Sequence, residues 1–284
     1  MKISEVLERL ETWHQPFTRP DTRDVVKCGD PGQECMGIAV TCCPTAEVIQ
    51  KAADAGCNLL IAHESMLYGD EFDPAGFIDN AVLEEKQSLL KATGMVVYRD
   101  HDHMHGTGGG PRHEPRVNRD WIYYGIMKEL GWEKYLIGDE LKPLQYRLPE
   151  TTVRELAGFL MQKLNLNGMR IVGSMDARVE TVYLVEHCMG RGDQEKINLC
   201  KDFDVMIPLE IVDWTLSHYV RDAVYFGKLK AILEMGHFNF EEPGMKYMAE
   251  WMPQAIGTAD IPIRFIPAGD SFHYLTAENC SLDS

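Results

Sequence analysis

Residues 58–68 read NLLIAHESMLY, and the uninterrupted apolar run Leu59–Ala62 within them constrains the fold more than any other stretch. Such a run reads as a strand buried on both faces, the kind found in parallel sheets covered by helices. It delivers His63 and Glu64 at its C-terminal end, where open α/β sheets place their ligands. An imidazole beside a carboxylate offers a neutral nitrogen and an anionic oxygen, a mixture that suits zinc, iron or manganese. The competing reading is a hydrogen-bonded structural pair, so the metal reading needs partners elsewhere in the chain.

The flanking sequence supplies the rest of a sheet. An amphipathic first helix carries Ile3, Val6, Leu7 and Leu10 on one face, and a polar connection, residues 15–33, follows it. MGIAV, Met36–Val40, reads as a strand, and Thr45 as the N-cap of a helix that turns Val48, Ile49 and Ala52 inward and ends at Gly56. Strand, helix and strand in that order predict two parallel neighbours. A second helix, residues 75–93, leads through Gly94 into MVVYRDHDHMH, whose first residues are another buried strand. His101, His103 and His105 then alternate with Asp100 and Asp102; an extended backbone would set the imidazoles on one face and the carboxylates on the other.

Beyond the loop GTGGGPRHEPR, helices are expected in YYGIMKELGW and TTVRELAGFLMQKLN, with no clear period across residues 136–148. From Glu180 the earlier pattern returns as strand, glycine loop, helix and a second strand ending at Glu210. His63 follows Val40 by 23 positions and Leu209 follows Val185 by 24, which marks a degenerate internal repeat. A helix over 213–227 and a strand at Ala231–Leu233 lead to His237 and Glu241, four positions apart, so both reach one point if they lie on a helical turn. MKYMAEWM continues as a helix, and IPIRFIPAGDSFHYL as a closing strand. The expectation is an α/β protein of two pseudo-repeated halves with mixed sheets around a central cleft. Residues 1–125 with 235–284 form the half carrying most metal ligands, and 126–234 form the other.

A formal charge of -16 argues against nucleic acid, whose phosphates need a surplus of Lys and Arg on some face. No run approaches the roughly 18 apolar residues of a membrane span, and MKISEVLERLETW lacks the apolar core of a signal peptide. The eight cysteines, at 28, 35, 42, 43, 57, 188, 200 and 280, show no CxxC spacing and read as reduced thiols of a cytoplasmic protein.

Three strand exits thus each present a histidine with Asp or Glu, in a chain with ten histidines. NLLIAHESMLY, VVYRDHDHMH and AILEMGHFNFEE resemble, in order and spacing, the three blocks of the NGG-interacting-factor-three family, the dinuclear metal-centre hexameric proteins also labelled GTP cyclohydrolase type 2-like. The resemblance covers most of the chain. The family's first block reads IIxHHP, its second carries a His with an Asp four positions on, and its third reads GHxxxE. His63, His237 and Glu241 match directly. Glu64 stands where the family has its second His, and His105 where it has its Asp, with His101 at the upstream His. The double exchange keeps the number of donors and the net ligand charge; Asp102 or His103 in place of His105 is the open alternative.

The resemblance implies two divalent metal ions, zinc, iron or manganese, about 3 to 4 Å apart, held by His63, Glu64, His105, His237 and Glu241. It implies hydrolysis of an amide, a cyclic C–N bond or a phosphoester in a small-molecule substrate by a metal-bound hydroxide, within a homohexamer. His101 and His103 are candidates to shuttle protons, or to orient the ligands. Arg112, with His113 and Arg116, would hold an anionic substrate group if the glycine-rich loop is more than a surface loop. Glu210 and His218 match polar positions of the family's second half. The rival reading is a non-catalytic metal carrier or regulatory hexamer, and a third is a mononuclear hydrolase.

Overall fold

The computed structural model describes residues 1–14, 21–68, 77, 79–106, 115–190, 192–276 and 280. Its elements are, in order, α1 (Ile3–His14), β1 (Val26–Cys28), β2 (Ile38–Thr41), α2 (Ala46–Asp54), β3 (Leu59–Ala62), α3 (Ala81–Thr93), β4 (Val96–Arg99), α4 (Pro115–Asn118) and α5 (Trp121–Leu130). There follow β5 (Gln145–Thr152), α6 (Val153–Leu164), β6 (Arg170–Gly173), β7 (Arg178–Val185), α7 (Asp193–Cys200), β8 (Val205–Pro208), α8 (His218–Tyr225), β9 (Ala231–Glu234), α9 (His237–Ile256) and β10 (Ile263–Phe265). The chain has the expected α/β fold of two halves, each built on a mixed sheet. No helix among the described residues is long and apolar enough to cross a membrane, and all eight cysteines are free thiols.

The first unit comprises Met1–Ile126, Glu140–Lys142 and Glu241–Ala268. Its sheet has the order β1-β4-β3-β2-β10, with β4, β3, β2 and β10 parallel and β1 antiparallel at the edge. All residues of β2, β3 and β4 are buried, as continuous apolar runs in a covered parallel sheet should be. Thr45 caps α2 by accepting the amide of Val48 at 3.2 Å, and Gly94 closes α3 in the left-handed conformation. Val48, Ile49 and Ala52 pack with Ala39, Leu60, Met95 and Val97; each large apolar side chain so buried contributes about 1.5–3 kcal/mol. Helices α5 and α9 meet backbone to backbone: a Cβ on Gly125 would lie 2.4 Å from the Cα of Gly244, and one on Gly244 2.6 Å from the Cα of Ile122.

The second unit comprises Met127–Asp139, Pro143–Phe240 and Gly269–Ser284. Its sheet has the order β5-β7-β8-β9-β6, with β7, β8 and β9 parallel and antiparallel strands on both edges. Val185, Met206, Leu216, Val220 and Ile232 form its core. The segments β2-α2-β3-α3-β4 and β7-α7-β8-α8-β9 follow one plan, three parallel strands with an antiparallel strand beside the third, β1 or β6. The internal repeat expected from the spacing is therefore a repeat of topology.

Several boundaries differ from expectation. The return to the first unit begins at Glu241 rather than at 235 and ends at Ala268. Residues before Glu241 stay with the second unit because β9 pairs with both β8 and β6. Residues after Ala268 do so because Asn167 hydrogen-bonds Asp270 and Phe272. Strand β1 falls in the stretch read as a polar connection, and β6 has no forerunner in the sequence reading. Where one helix was expected over 213–227, Asp213–Ser217 makes a widened turn with Thr215 outside helical geometry, and α8 starts only at His218. The closing strand shrinks to Ile263–Phe265. Helix α9 begins at His237, ahead of MKYMAEWM, with Pro243 inside it; proline in a helix interior removes one hydrogen bond, which hides such a helix from periodicity.

Candidate metal centre

In the first unit, β3 and β4 are parallel neighbours, so His63 and the segment from Asp100 onward leave the sheet side by side at its C-terminal edge. The segment does not stay extended. Asp24 accepts the backbone N–H groups of His101, Asp102 and His103 at 2.7–2.8 Å, and His105 donates its own N–H to the carbonyl of His101 at 3.1 Å. A helical turn results, which sets His101 and His105 on one side and His103 elsewhere. The expected alternation of three imidazoles on one face gives way to this pairing, because a buried carboxylate draws three consecutive amides inward.

His63, His101 and His105 come together, with ring centroids 4.6–5.0 Å apart and donor atoms within 4.8 Å of one another. Each ring is anchored at Nδ1. His63 Nδ1 lies 3.2 Å from the carbonyl oxygen of Asp100, which can only accept, so Nδ1 carries the proton and Nε2 is a lone-pair donor. His101 Nδ1 faces Asp102 Oδ1 at 3.1 Å, and Asp102 is fixed in turn by Thr22 and the backbone of Arg23. His105 Nδ1 faces Asp120 Oδ2 at 3.1 Å, and Asp120 Oδ1 accepts the amide of Tyr123 in the first turn of α5. Metal-ligating histidines are held in this way, with one nitrogen tied to a carboxylate or carbonyl and the other left for the ion.

Glu241, on α9 and 2% exposed, completes the group. Its Oε2 is 3.5 Å from His63 Nε2 and its Oε1 3.9 Å from His105 Nε2, too long for hydrogen bonds. His63 Nε2 is buried with no hydrogen-bond partner. Glu64 joins His63 and Glu241 in a second, overlapping set of donors, its Oε2 3.4 Å from Nη2 of the buried Arg99. Burial and the two neighbouring imidazoles push His101 down to about 4. Burial opposes charge on His105 as well, but Asp120 and Glu241 outweigh it and raise that imidazole to about 9.

In the second unit, His187, Glu210 and His237 follow the C-terminal ends of the parallel strands β7, β8 and β9. The two oxygens of Glu210 are divided between the imidazoles, Oε1 2.6 Å from His187 Nδ1 and Oε2 2.7 Å from His237 Nδ1. Both Nε2 atoms are thereby left as lone-pair donors, on rings 5.1 Å apart. Burial works against the charge on Glu210, but the two imidazole bonds hold its carboxyl down at about 2.

Of the residues singled out from the sequence, His63, Glu64, His105 and Glu241 stand together, and His101, expected to move protons, stands with them as a possible ligand. His103 does not join them; it lies against Asp24 at 2.7 Å. His237 stands with Glu210. His218 is exposed at the first residue of α8 and belongs to none of the donor groups among the described residues. Arg112 and His113 lie outside the described residues, and Arg116 falls within α4. Sequence reasoning missed His187, Asp24 and Asp120. The first could have been found by aligning the two repeats, since His187 follows β7 as Glu210 follows β8.

Fold and geometry together define a two-unit α/β protein with histidine–carboxylate groups at the C-terminal ends of its parallel strands. No family model matches the chain. Over 292 aligned residues it is 23% identical to the GTP cyclohydrolase 1 type 2 homolog of Clostridium perfringens, covering 97% of this chain and 100% of that protein. The Staphylococcus aureus hypothetical protein SA1388 superposes with a TM-score of 0.70 at 16% identity, over 97% of this chain and 99% of that one. A Bacillus cereus protein related to NIF3 gives 0.65 at 14%, over 96% and 97%. At these identities the solved structures show a shared fold. The chain resembles the NIF3-like, GTP cyclohydrolase type 2-like family over nearly its whole length.

Proposed function

We propose that the protein is a metal-dependent hydrolase acting on an amide, cyclic C–N or phosphoester bond of a small molecule. The observation that carries this reading is the convergence of His63, His101 and His105, each anchored at Nδ1, beside the buried carboxylate of Glu241. Ordinary hydrogen bonding would have paired His63 Nε2; left unpaired, that lone pair and those of His101 and His105 would hold a divalent cation. The overlapping set His63, Glu64 and Glu241 supports a second ion, which these residues would help to hold. His237 is assigned to metal by the resemblance, and Glu210 holds its imidazole in the tautomer that assignment needs.

When bound, such ions act as Lewis acids, acidifying a coordinated water and polarising a carbonyl or phosphoryl oxygen. Asp102 and Asp120 keep His101 and His105 in ligand orientation, and Arg99 screens the half-buried Glu64 so that a second carboxylate is tolerated near Glu241. Arg112 would receive an anionic part of the substrate. The assembly is proposed to be a homohexamer, which light scattering on the purified protein tests.

Elemental analysis of protein purified without chelator is the test, on wild type, Glu64→Gln and His105→Gln. Fewer ions per chain in both variants than in wild type supports the reading, and a screen of small amides, cyclic amidines and phosphoesters then identifies the reaction. Folded Glu64→Gln and His105→Gln proteins that keep the wild-type ion count overturn it.

A further inference from the structure

Outside that centre, the first unit buries a second group of donors: His14 from the end of α1, Asp24 ahead of β1, and Asp100 and His103 from the segment after β4. All four are 5% exposed or less. We infer that His14, Asp24, Asp100 and His103 form a separate, fully buried site for one divalent transition-metal ion. It shares no residue with the centre proposed above and does not depend on that proposal.

Three observations carry the inference. First, donor atoms of Asp24, Asp100 and His103 lie within 4.8 Å of one another. His14 is tied to the same group: its Nε2 is 3.5 Å from Asp100 Oδ2, and its ring stacks on that of His103 at 4.9 Å between centroids. Second, neither oxygen of Asp100 and neither ring nitrogen of His14 has a hydrogen-bond partner, although both side chains are buried. An ionised carboxylate left so costs several kcal/mol, and groups of this kind are paired or coordinate a metal. Third, 3.5 Å is too long for a hydrogen bond but is the spacing of two donors on one tetrahedral ion, since ligands about 2.0–2.1 Å from the metal stand about 3.4 Å apart.

A metal-free explanation fits less well. A direct hydrogen bond between His14 and Asp100 would bring Nε2 and Oδ2 closer than the 3.5 Å at which they stand. Asp24 also has a structural task. Its carboxylate takes the amides of residues 101–103 and lies 2.7 Å from His103 Nδ1, so that one anion shapes the turn and holds the imidazole. Trp251 stands edge-on to His14 at 5.4 Å and walls the group with apolar surface. Two imidazoles with carboxylates suit zinc or iron(II), and a set of four buried donors fits a structural ion that fastens α1 to the turn carrying His101 and His105.

The test uses cobalt(II) and zinc on the full chain stripped of metal, with three variants. His14→Gln and Asp100→Asn remove donors at near-constant volume; the triple variant His63→Gln, Glu241→Gln and His237→Gln takes donors from each of the other groups and none of these four. The expected result is one ion fewer per chain in His14→Gln and in Asp100→Asn. The triple variant should still bind one cobalt ion, with the intense visible absorption of four-coordinate geometry. A triple variant that binds no ion overturns the inference. So do folded His14→Gln and Asp100→Asn proteins that keep the wild-type count. If both of those variants fail to fold, the triple variant decides alone.

Discussion

His105 donates its backbone N–H to the carbonyl of His101, 3.1 Å away, and that bond sorts three closely spaced histidines into two environments. The carboxylate of Asp120 then decides how His105 presents itself. Asp120→Asn keeps the shape of the side chain and weakens its hold on the imidazole, so metal affinity should fall about 10- to 100-fold. Competition against a chromophoric chelator measures it; equal affinity in wild type and variant counts against His105 as a ligand.

Glu210 serves two imidazoles at once. In Glu210→Gln the amide can accept through one atom only, so one of His187 and His237 should lose its Nδ1–H preference. Two-bond 15N–1H NMR spectra should show both of these rings unprotonated at Nε2 in wild type and one of them in the variant. Two unchanged rings in the variant would mean that Glu210 does not set the tautomers.

Asp204 clamps the start of β8 to β7 by accepting the amides of Glu180 and Thr181 and the hydroxyl of Thr181. Partial burial opposes its charge, but these bonds hold the carboxyl below its usual value. A depressed folded pKa contributes stability above the unfolded value, about 3.9, and loses it as pH falls through the folded value. Asp204→Asn should therefore cost about 1–3 kcal/mol near neutrality, and the gap from wild type should narrow at pH 3. Urea unfolding at both pH values checks the size and the direction.

Ion binding to the folded chain alone must raise its melting temperature. An excess of 100 times Kd contributes about 2.7 kcal/mol, which for a chain of this size is roughly 5–10 °C. Differential scanning calorimetry with and without zinc, after dialysis against chelator, tests this. No shift would mean that the folded state has no preferential site.

The parallel strands were legible in the sequence because they are buried on both faces, and continuous apolar runs announce that condition. LLIA and VVYR stand where they were expected, and the donors at their ends came with them. Edge strands gave no such signal: β1 is three residues long and β6 leaves its residues half-covered. The separation of His103 from its neighbours was hidden too, since it depends on Asp24, whose role arises only when a residue 77 positions earlier reaches the turn. Pro243 concealed the first turns of α9, so the helical spacing of His237 and Glu241 could be stated only as a condition.

At the crossing of Gly125 and Gly244 neither glycine puts a side chain between the two helices, and Glu241 sits one turn upstream of it on α9. The distance from that carboxylate to the imidazoles is therefore gauged by bare main chain, the least compressible spacer a protein has. Most substitutions along the two helices alter only what they touch. A single methyl group at this crossing would act as a shim, lifting the end of α9 and carrying the carboxylate away from its partners.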